Sequence, residues 1–146
     1  MRVRLFGTVL LPPSARRPKA LAAACLETLR SERARRAGEI SIVFLNRQRM
    51  RALNRRFLKS GRDTDVIAFG YPAPKARRPT PDEPFGDIFI SSHRARIQAK
   101  ELGHSVLAEA RTLIIHGTLH LLGYEDKTPE RRALMFGRQL RLLNSR

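Results

Sequence analysis

The chain has 146 residues, enough for one domain with a sizeable core, and its seven Phe, two Tyr and absent Trp predict that this core is mainly aliphatic. A net charge of +16 points to a polyanionic partner, with nucleic acid ahead of a membrane because no strongly amphipathic basic helix stands at either end. The single cysteine, Cys25, excludes an intrachain disulfide and reads as a small buried side chain in a reducing cytoplasm.

Residues Arg2 to Leu10 alternate loosely, with Val3 and Leu5 against Arg2 and Arg4. That pattern predicts a first strand rather than a signal peptide, and no A-x-A-like cleavage site follows it. No apolar run approaches the length of a membrane span. Pro12-Pro13 stops the strand, and Pro18 suits the first turn of a helix on which Leu21, Cys25 and Leu29 recur, with Gly38 to end it. Glu39 to Leu45 is a β-branched second strand. Asn46 can cap a second helix from Arg47 to about Leu58, with Met50, Leu53 and Phe57 as its apolar stripe. Arg47, Arg51 and Arg55 recur at i, i+4, i+8 on another face. Such a row of like charges repels itself, and an external phosphate relieves it; a merely solvated face is the alternative.

A loop over 59–64 leads to a third strand, Asp65 to Phe69. Residues 70–85 carry five prolines, which exclude regular structure and suggest a lid, a binding loop or a mobile linker. Gly86 to Ser91 is a fourth strand, and Ser91 or Ser92 caps a third helix ending at Gly103. Ser105 caps the next helix, and Thr128-Pro129-Glu130 opens a last one with Ala133, Phe136, Leu140 and Leu143 inward. The expected fold is α+β: residues 1–146 as a single domain, a small four-stranded mixed sheet packed with about five helices.

The fourth helix carries the chemistry. It is apolar on most sides, which makes it the central and most buried helix, and it bears His116 and His120. Four residues on a helix advance about 6 Å and keep both imidazoles on one face. Gly123 can then turn the chain back and present Asp126 or Glu125 to the pair, Asp126 ranking first. Two helical histidines and a ligand beyond a glycine turn are the layout of an open catalytic zinc site. The Glu that follows the first His in H-E-x-x-H peptidases is replaced by Gly117, so peptidase chemistry lacks its base. His93 and His104 fall outside the cluster by spacing, and His104 reads as a surface residue. Thr64, Asp65 and Asp87 read as residues that fix turns by hydrogen bonds to backbone N–H groups.

The run H-G-T-L-H-L-L-G-Y from His116 resembles the signature H-G-x-L-H-L-x-G-Y-D-H of the YbeY endoribonucleases. Two more stretches match in the same order. Leu53-Asn54-Arg55-Arg56-Phe57, followed by Thr64-Asp65-Val66-Ile67-Ala68-Phe69, resembles L-N-x-x-[YF] and T-D-V-L-S-F; Phe85-Gly86-Asp87-Ile88 with Ile90 resembles L-G-D-I-x-I. The resemblance implies a zinc-dependent, single-strand-specific endoribonuclease of ribosomal RNA maturation and ribosome quality control. It implies a cytoplasmic location, with RNA, the small ribosomal subunit and its assembly factors as partners and no membrane. By position it implies His116, His120 and Asp126 as ligands of one Zn²⁺ per chain, with His116 and Lys59 in catalysis; the chain's own basic residues Arg47, Arg51, Arg55, Arg56 and Arg62 are then expected on the RNA.

Several positions depart from the pattern. Asp126 stands where the family has a third zinc histidine, and Glu125 where it has the preceding Asp. Leu58 aligns with a catalytic Arg, for which the neighbouring Lys59 can substitute, and Ala68 replaces a Ser. A carboxylate ligates zinc as an imidazole does, lowers the charge of the site by one unit, and makes Mn or Fe more admissible. Two further readings stand beside the nuclease: a catalytically weakened RNA- or ribosome-binding protein, and a non-haem iron oxygenase, whose paired His and carboxylate two residues apart on a strand are missing.

Overall fold

The computed structural model describes residues 1–59 and 63–144, so Arg62, one of the expected RNA contacts, lies outside the described residues. The elements follow in the order β1 (Arg2–Phe6), α1 (Pro18–Ser31), β2 (Glu39–Leu45), α2 (Arg47–Leu58), β3 (Val66–Gly70), β4 (Pro84–Ser91), α3 (Ser92–Leu102), α4 (Val106–Leu121) and α5 (Pro129–Asn144). The sheet order is β1-β2-β4-β3, with β1, β2 and β4 parallel and β3 antiparallel to β4. It is the expected mixed sheet in an α+β fold.

Alternation along the strands divides the molecule into two sides. Ile40, Ile42 and Phe44 of β2, with Ile88 and Ile90 of β4, turn toward α1 and α4 and form the main core. Gly117 lets α4 lie close against the sheet: a Cβ there would stand 2.6 Å from Ile88 Cγ2 and 3.3 Å from Val66 Cγ2. This explains the missing peptidase Glu, because position 117 faces the sheet. As expected, α4 is the central helix, packed by β3, β4, α1, α3 and α5. On the other side lies α2, capped by Asn46, whose side chain accepts from Arg49 N at 2.9 Å. The Phe57, Phe69 and Phe89 rings make edge contacts of 5.3 and 5.9 Å across that side.

Five local expectations are corrected. The first strand ends at Phe6, because Gly7 adopts φ 76 with Phe44 O only 2.2 Å from where a Cβ would be; two short 3-10 turns, Thr8–Leu10 and Pro13–Ala15, follow. Helix α1 ends at Ser31, with Arg33 in a left-handed conformation two residues on, and Gly38 instead abuts Phe85 just before β2. Phe57 is exposed, and the buried α2 residues are Met50 and Asn54; the Asn54 amide donates to Thr64 Oγ1 at 3.0 Å, holding the chain ahead of β3. Helix α5 buries Met135 and Leu142, leaving Phe136 and Leu140 exposed. The proline-rich stretch is also shorter than the expected 70–85, because Gly70 ends β3 and Pro84 and Phe85 begin β4, and its last residues are tied to the β1–β2 end of the sheet. Asp82 pairs with Arg2 at 2.9 Å, and Glu83 O accepts from Glu39 N at 2.8 Å.

Candidate metal centre

One stripe of α4 runs Glu109, Leu113, His116, His120 at helical spacing, the first two buried and the histidines half-buried. Ser105 starts the helix by accepting from Ala108 N at 3.0 Å, and the end is closed by Tyr124 N donating to Leu119 O at 3.1 Å. Gly123, at φ 99, makes that closure possible and turns the chain back over the last helical turn. Tyr124 O consequently reaches His120 Nδ1 at 2.9 Å, and the Tyr124 hydroxyl donates to Glu32 of the segment after α1.

Each imidazole is oriented by its inner nitrogen. His120 Nδ1–H donates to Tyr124 O, and His116 Nδ1–H donates to Gln139 Oε1 of α5 at 3.0 Å. Both Nε2 atoms therefore carry lone pairs, and they face each other at 3.0 Å. Two lone pairs at that separation repel unless a cation lies between them. Two Zn–N bonds of about 2.0–2.1 Å at a tetrahedral angle place the nitrogens about 3.3 Å apart, close to what is found. Burial, and next the neighbouring His116, holds the His120 imidazole below its ordinary pKa, which favours the neutral form a metal requires.

Asp126 completes the cluster: its carboxylate and the two histidines bring one ligand atom each within 4.8 Å of one another. Glu125, the other candidate, is engaged by Arg131. The neutral N₂ pair with one carboxylate suits zinc, and the partners on Nδ1 are those that fix a ligating histidine. A cavity of about 260 Å³ opens beside the cluster, bounded by His116, Asp126, Arg132, Met135, Phe136 and Gln139.

A YbeY family profile, described as endoribonuclease YbeY, matches residues 13–146. The chain belongs to the YbeY family. It is 38% identical over 102 residues to an endoribonuclease YbeY of Elusimicrobium minutum, covering 70% of each chain. It is 40% identical over 110 residues to one of a Geobacillus species, covering 72% of this chain and 70% of the other. A solution structure from Thermotoga maritima, 20% identical, superposes with a TM-score of 0.63 over 97% of this chain and 86% of that one, which supports the fold.

Asp126, which stands at the position of the third histidine in the YbeY signature quoted above, lies with His116 and His120 in the structure. The arginines of α2 are elsewhere. Arg47, Arg51 and Arg55 line a shallow cleft of about 360 Å³ with Gln48, on the side of the sheet away from α4. Arg47 also pairs with Asp63 at 3.4 Å, and the Arg56 guanidinium lies 5.3 Å from the Phe57 ring centre. Lys59 ends α2 in a left-handed conformation, is exposed, and is not among the residues lining the cavities next to His116. Asp87 accepts from the Tyr71 hydroxyl at 2.5 Å and so does not fix a turn.

Sequence reasoning missed the groups that orient and surround the histidines. Gln139 and Arg132 lie on α5, in a part of the chain with no motif to mark them. Glu109 carried a signal, since it stands seven residues before His116 on the same helical face. His104 is at the surface as expected, yet its Nε2 lies 2.8 Å from Oε1 of the buried Glu109. Among the described residues no helix is long and apolar enough to cross a membrane.

Proposed function

We propose that this YbeY-family chain is a zinc-dependent endoribonuclease that cuts single-stranded ribosomal RNA in the cytoplasm, acting with the small ribosomal subunit and its assembly factors. His116, His120 and Asp126 hold the ion. The observation that carries this reading is the pair of Nε2 atoms 3.0 Å apart, each turned outward by an Nδ1–H bond, with the Asp126 carboxylate beside them. A bound zinc ion supplies Lewis acidity next to a phosphodiester.

The protein's own groups do the rest. Gln139 and Tyr124 O keep the imidazole protons on Nδ1, so the site's geometry exists before substrate arrives. Arg132 lines the same cavity and offers a cation to the scissile phosphate. We assign His116 to catalysis through the ion it holds, and Lys59, which lies apart from the cavities next to His116, to catalysis only through its grip on the substrate's phosphates. Lys59 and Arg56 stand at the end of α2, and with Arg47, Arg51 and Arg55 they hold the strand's backbone where it passes round the β3 edge; Arg62 is assigned the same task.

One observation favours a second reading, a weakened enzyme that binds RNA. Leu58, in the place of the family's Arg, presents an exposed apolar group where a guanidinium is expected. Cleavage of single-stranded RNA by zinc-loaded protein, chelated protein and His116→Ala separates the two. The nuclease reading expects cutting by the first alone. Equal cutting by all three preparations overturns it, and tight RNA binding without cutting establishes the second.

A further inference from the structure

Beside the histidine pair, α3, α4 and α5 enclose a second cavity of about 330 Å³ that shares His116 and Gln139 with the first. Its rim is apolar, with Leu102 from α3 and Phe136 and Leu140 from α5 exposed at 66%, 56% and 42%. Its floor is polar. Glu109, only 2% exposed, accepts from Gln98 Nε2 at 2.7 Å through Oε2 and bonds His104 Nε2 through Oε1. Asp65 stands at the same cavity. The segment before β3 and the first turn of α4 thus bring two carboxylates to a pocket on a chain of net charge +16.

An exposed apolar rim over an acidic floor is incoherent for water and coherent for one kind of ligand. A nucleobase has flat apolar faces and a polar edge, and proteins that bind single strands recognise it by covering the faces and hydrogen-bonding the edge. The cavity lies at the small end of the ligand-pocket range, so it suits one base. Glu109 and His116 are seven residues apart, about 10.5 Å along the helix. A nucleotide whose phosphate lies against His116 can therefore lay its base over Leu113 toward Glu109.

We propose that this cavity is a base subsite next to the scissile phosphate, and that it selects guanine. The position of the phosphate rests on the nuclease reading; the base selectivity rests on the cavity alone. A carboxylate only accepts, and it has about four lone-pair positions, of which Gln98 and His104 use two. Guanine presents two adjacent donors, N1–H and N2–H, which match the remaining pair. Adenine and cytosine offer an amino group beside a ring lone pair, and uracil places its one N–H between two carbonyl oxygens. Those acceptors face carboxylate oxygens and are repelled.

The test uses zinc-loaded protein and short 2′-O-methyl oligonucleotides that differ in one base, with affinity read by fluorescence anisotropy. The guanine oligonucleotide is expected to bind about tenfold tighter than the uracil one. Glu109→Gln, which keeps the side chain's shape but turns one of its two accepting oxygens into an N–H donor, is expected to bring the four affinities within about twofold. Phe136→Ala alters an exposed residue and leaves folding intact; it should weaken all four alike and keep their order. Equal affinities in the unaltered protein, or an equal loss for all bases in Glu109→Gln, overturns the subsite. Cleavage of the matching unmodified oligonucleotides separates the two readings. Cutting without base preference removes the subsite alone, whereas guanine preference without cutting removes the nuclease and keeps the subsite.

Discussion

On the α4 side of the sheet Ile40, Ile42, Phe44, Ile88 and Ile90 are all essentially inaccessible, whereas on the α2 side the alternate residues Ser41, Val43, Asp87 and Phe89 of the same two strands stay half-exposed. The first side carries the histidines, and the second carries the arginine row. The difference teaches a division of labour. A metal cluster needs atoms held to within a few tenths of an ångström, which only close-packed surroundings and fixed hydrogen bonds supply. Phosphate contact needs charge within reach, which an open helix face provides.

The comparison is broken most directly by loosening the packed side where it touches the site. Gln139→Ala removes the acceptor that holds His116 Nδ1–H and frees the ring to rotate. Loss of such an outer partner typically costs about tenfold to a hundredfold in metal affinity. Competition with a chromophoric chelator checks this, and unaltered zinc affinity would mean that Gln139 does not orient the histidine. His116→Ala should cost more, since a ligand goes with it.

A pair of glycines sharpens the contrast in stability. Gly117→Ala forces a methyl against Ile88, and overpacking of this kind costs about 1–3 kcal/mol. Gly137→Ala, in α5 with nothing within 4 Å of the new Cβ, should instead gain roughly 0.5–1 kcal/mol through helix propensity. Urea unfolding of both variants measures the difference. Opposite signs are expected, with the larger change in Gly117→Ala, and a harmless Gly117→Ala would show that α4 does not lie as close to the sheet as described.

What was legible in the sequence follows the same line. Helix caps are local chemistry, and Asn46, Ser91, Ser105 and Thr128 each accept the backbone N–H expected of them. The histidine spacing and the glycine turn are also local, so the His116, His120 and Asp126 grouping could be read in advance. Faces of amphipathic helices were less legible. Helix α5 offers two apolar stripes, Phe136-Leu140-Leu143 and Met135-Leu142, and only its packing beside α4 and α1 decides between them. Phe57 misled for a related reason: it covers Phe69 from outside, a contact between residues twelve apart that periodicity cannot show. The Gln139–His116 and Gln98–Glu109 bonds join different helices and leave no mark in either stretch.

The open side should respond to salt more than to structure. Replacing Arg47, Arg51 and Arg55 together by Ala removes three exposed or half-exposed cations from α2. Each phosphate contact on a single strand contributes about 0.7 to the slope of log K against log salt. The triple variant should therefore flatten that slope by about 2, with zinc content and unfolding midpoint unchanged. A slope equal to that of the unaltered protein would assign the row to solvent.

The smallest effect concerns Cys25, which lies on α1 in the closed side and reports whether that side stays closed. Burial pushes its thiol up from 9.0 to about 11, against a smaller opposing effect of the hydrogen bond with Thr118 on α4. A raised value means that the folded form keeps its proton longer. The contribution to stability is complete below about 9 and is lost as pH rises toward about 11. At pH 8 the shift alone leaves about a hundredfold fewer thiolates than in the unfolded chain, and the thiolate is the form that reacts. Native protein should thus be labelled by a thiol reagent at least that much more slowly than protein in concentrated urea. Gly117→Ala should narrow the gap, because a shifted α4 lets water reach the Cys25 thiol and weakens the burial that raises its pKa. Equal labelling rates in native and unfolded protein would mean that α1 and α4 part readily, and that the closed side is no more rigid than the open one.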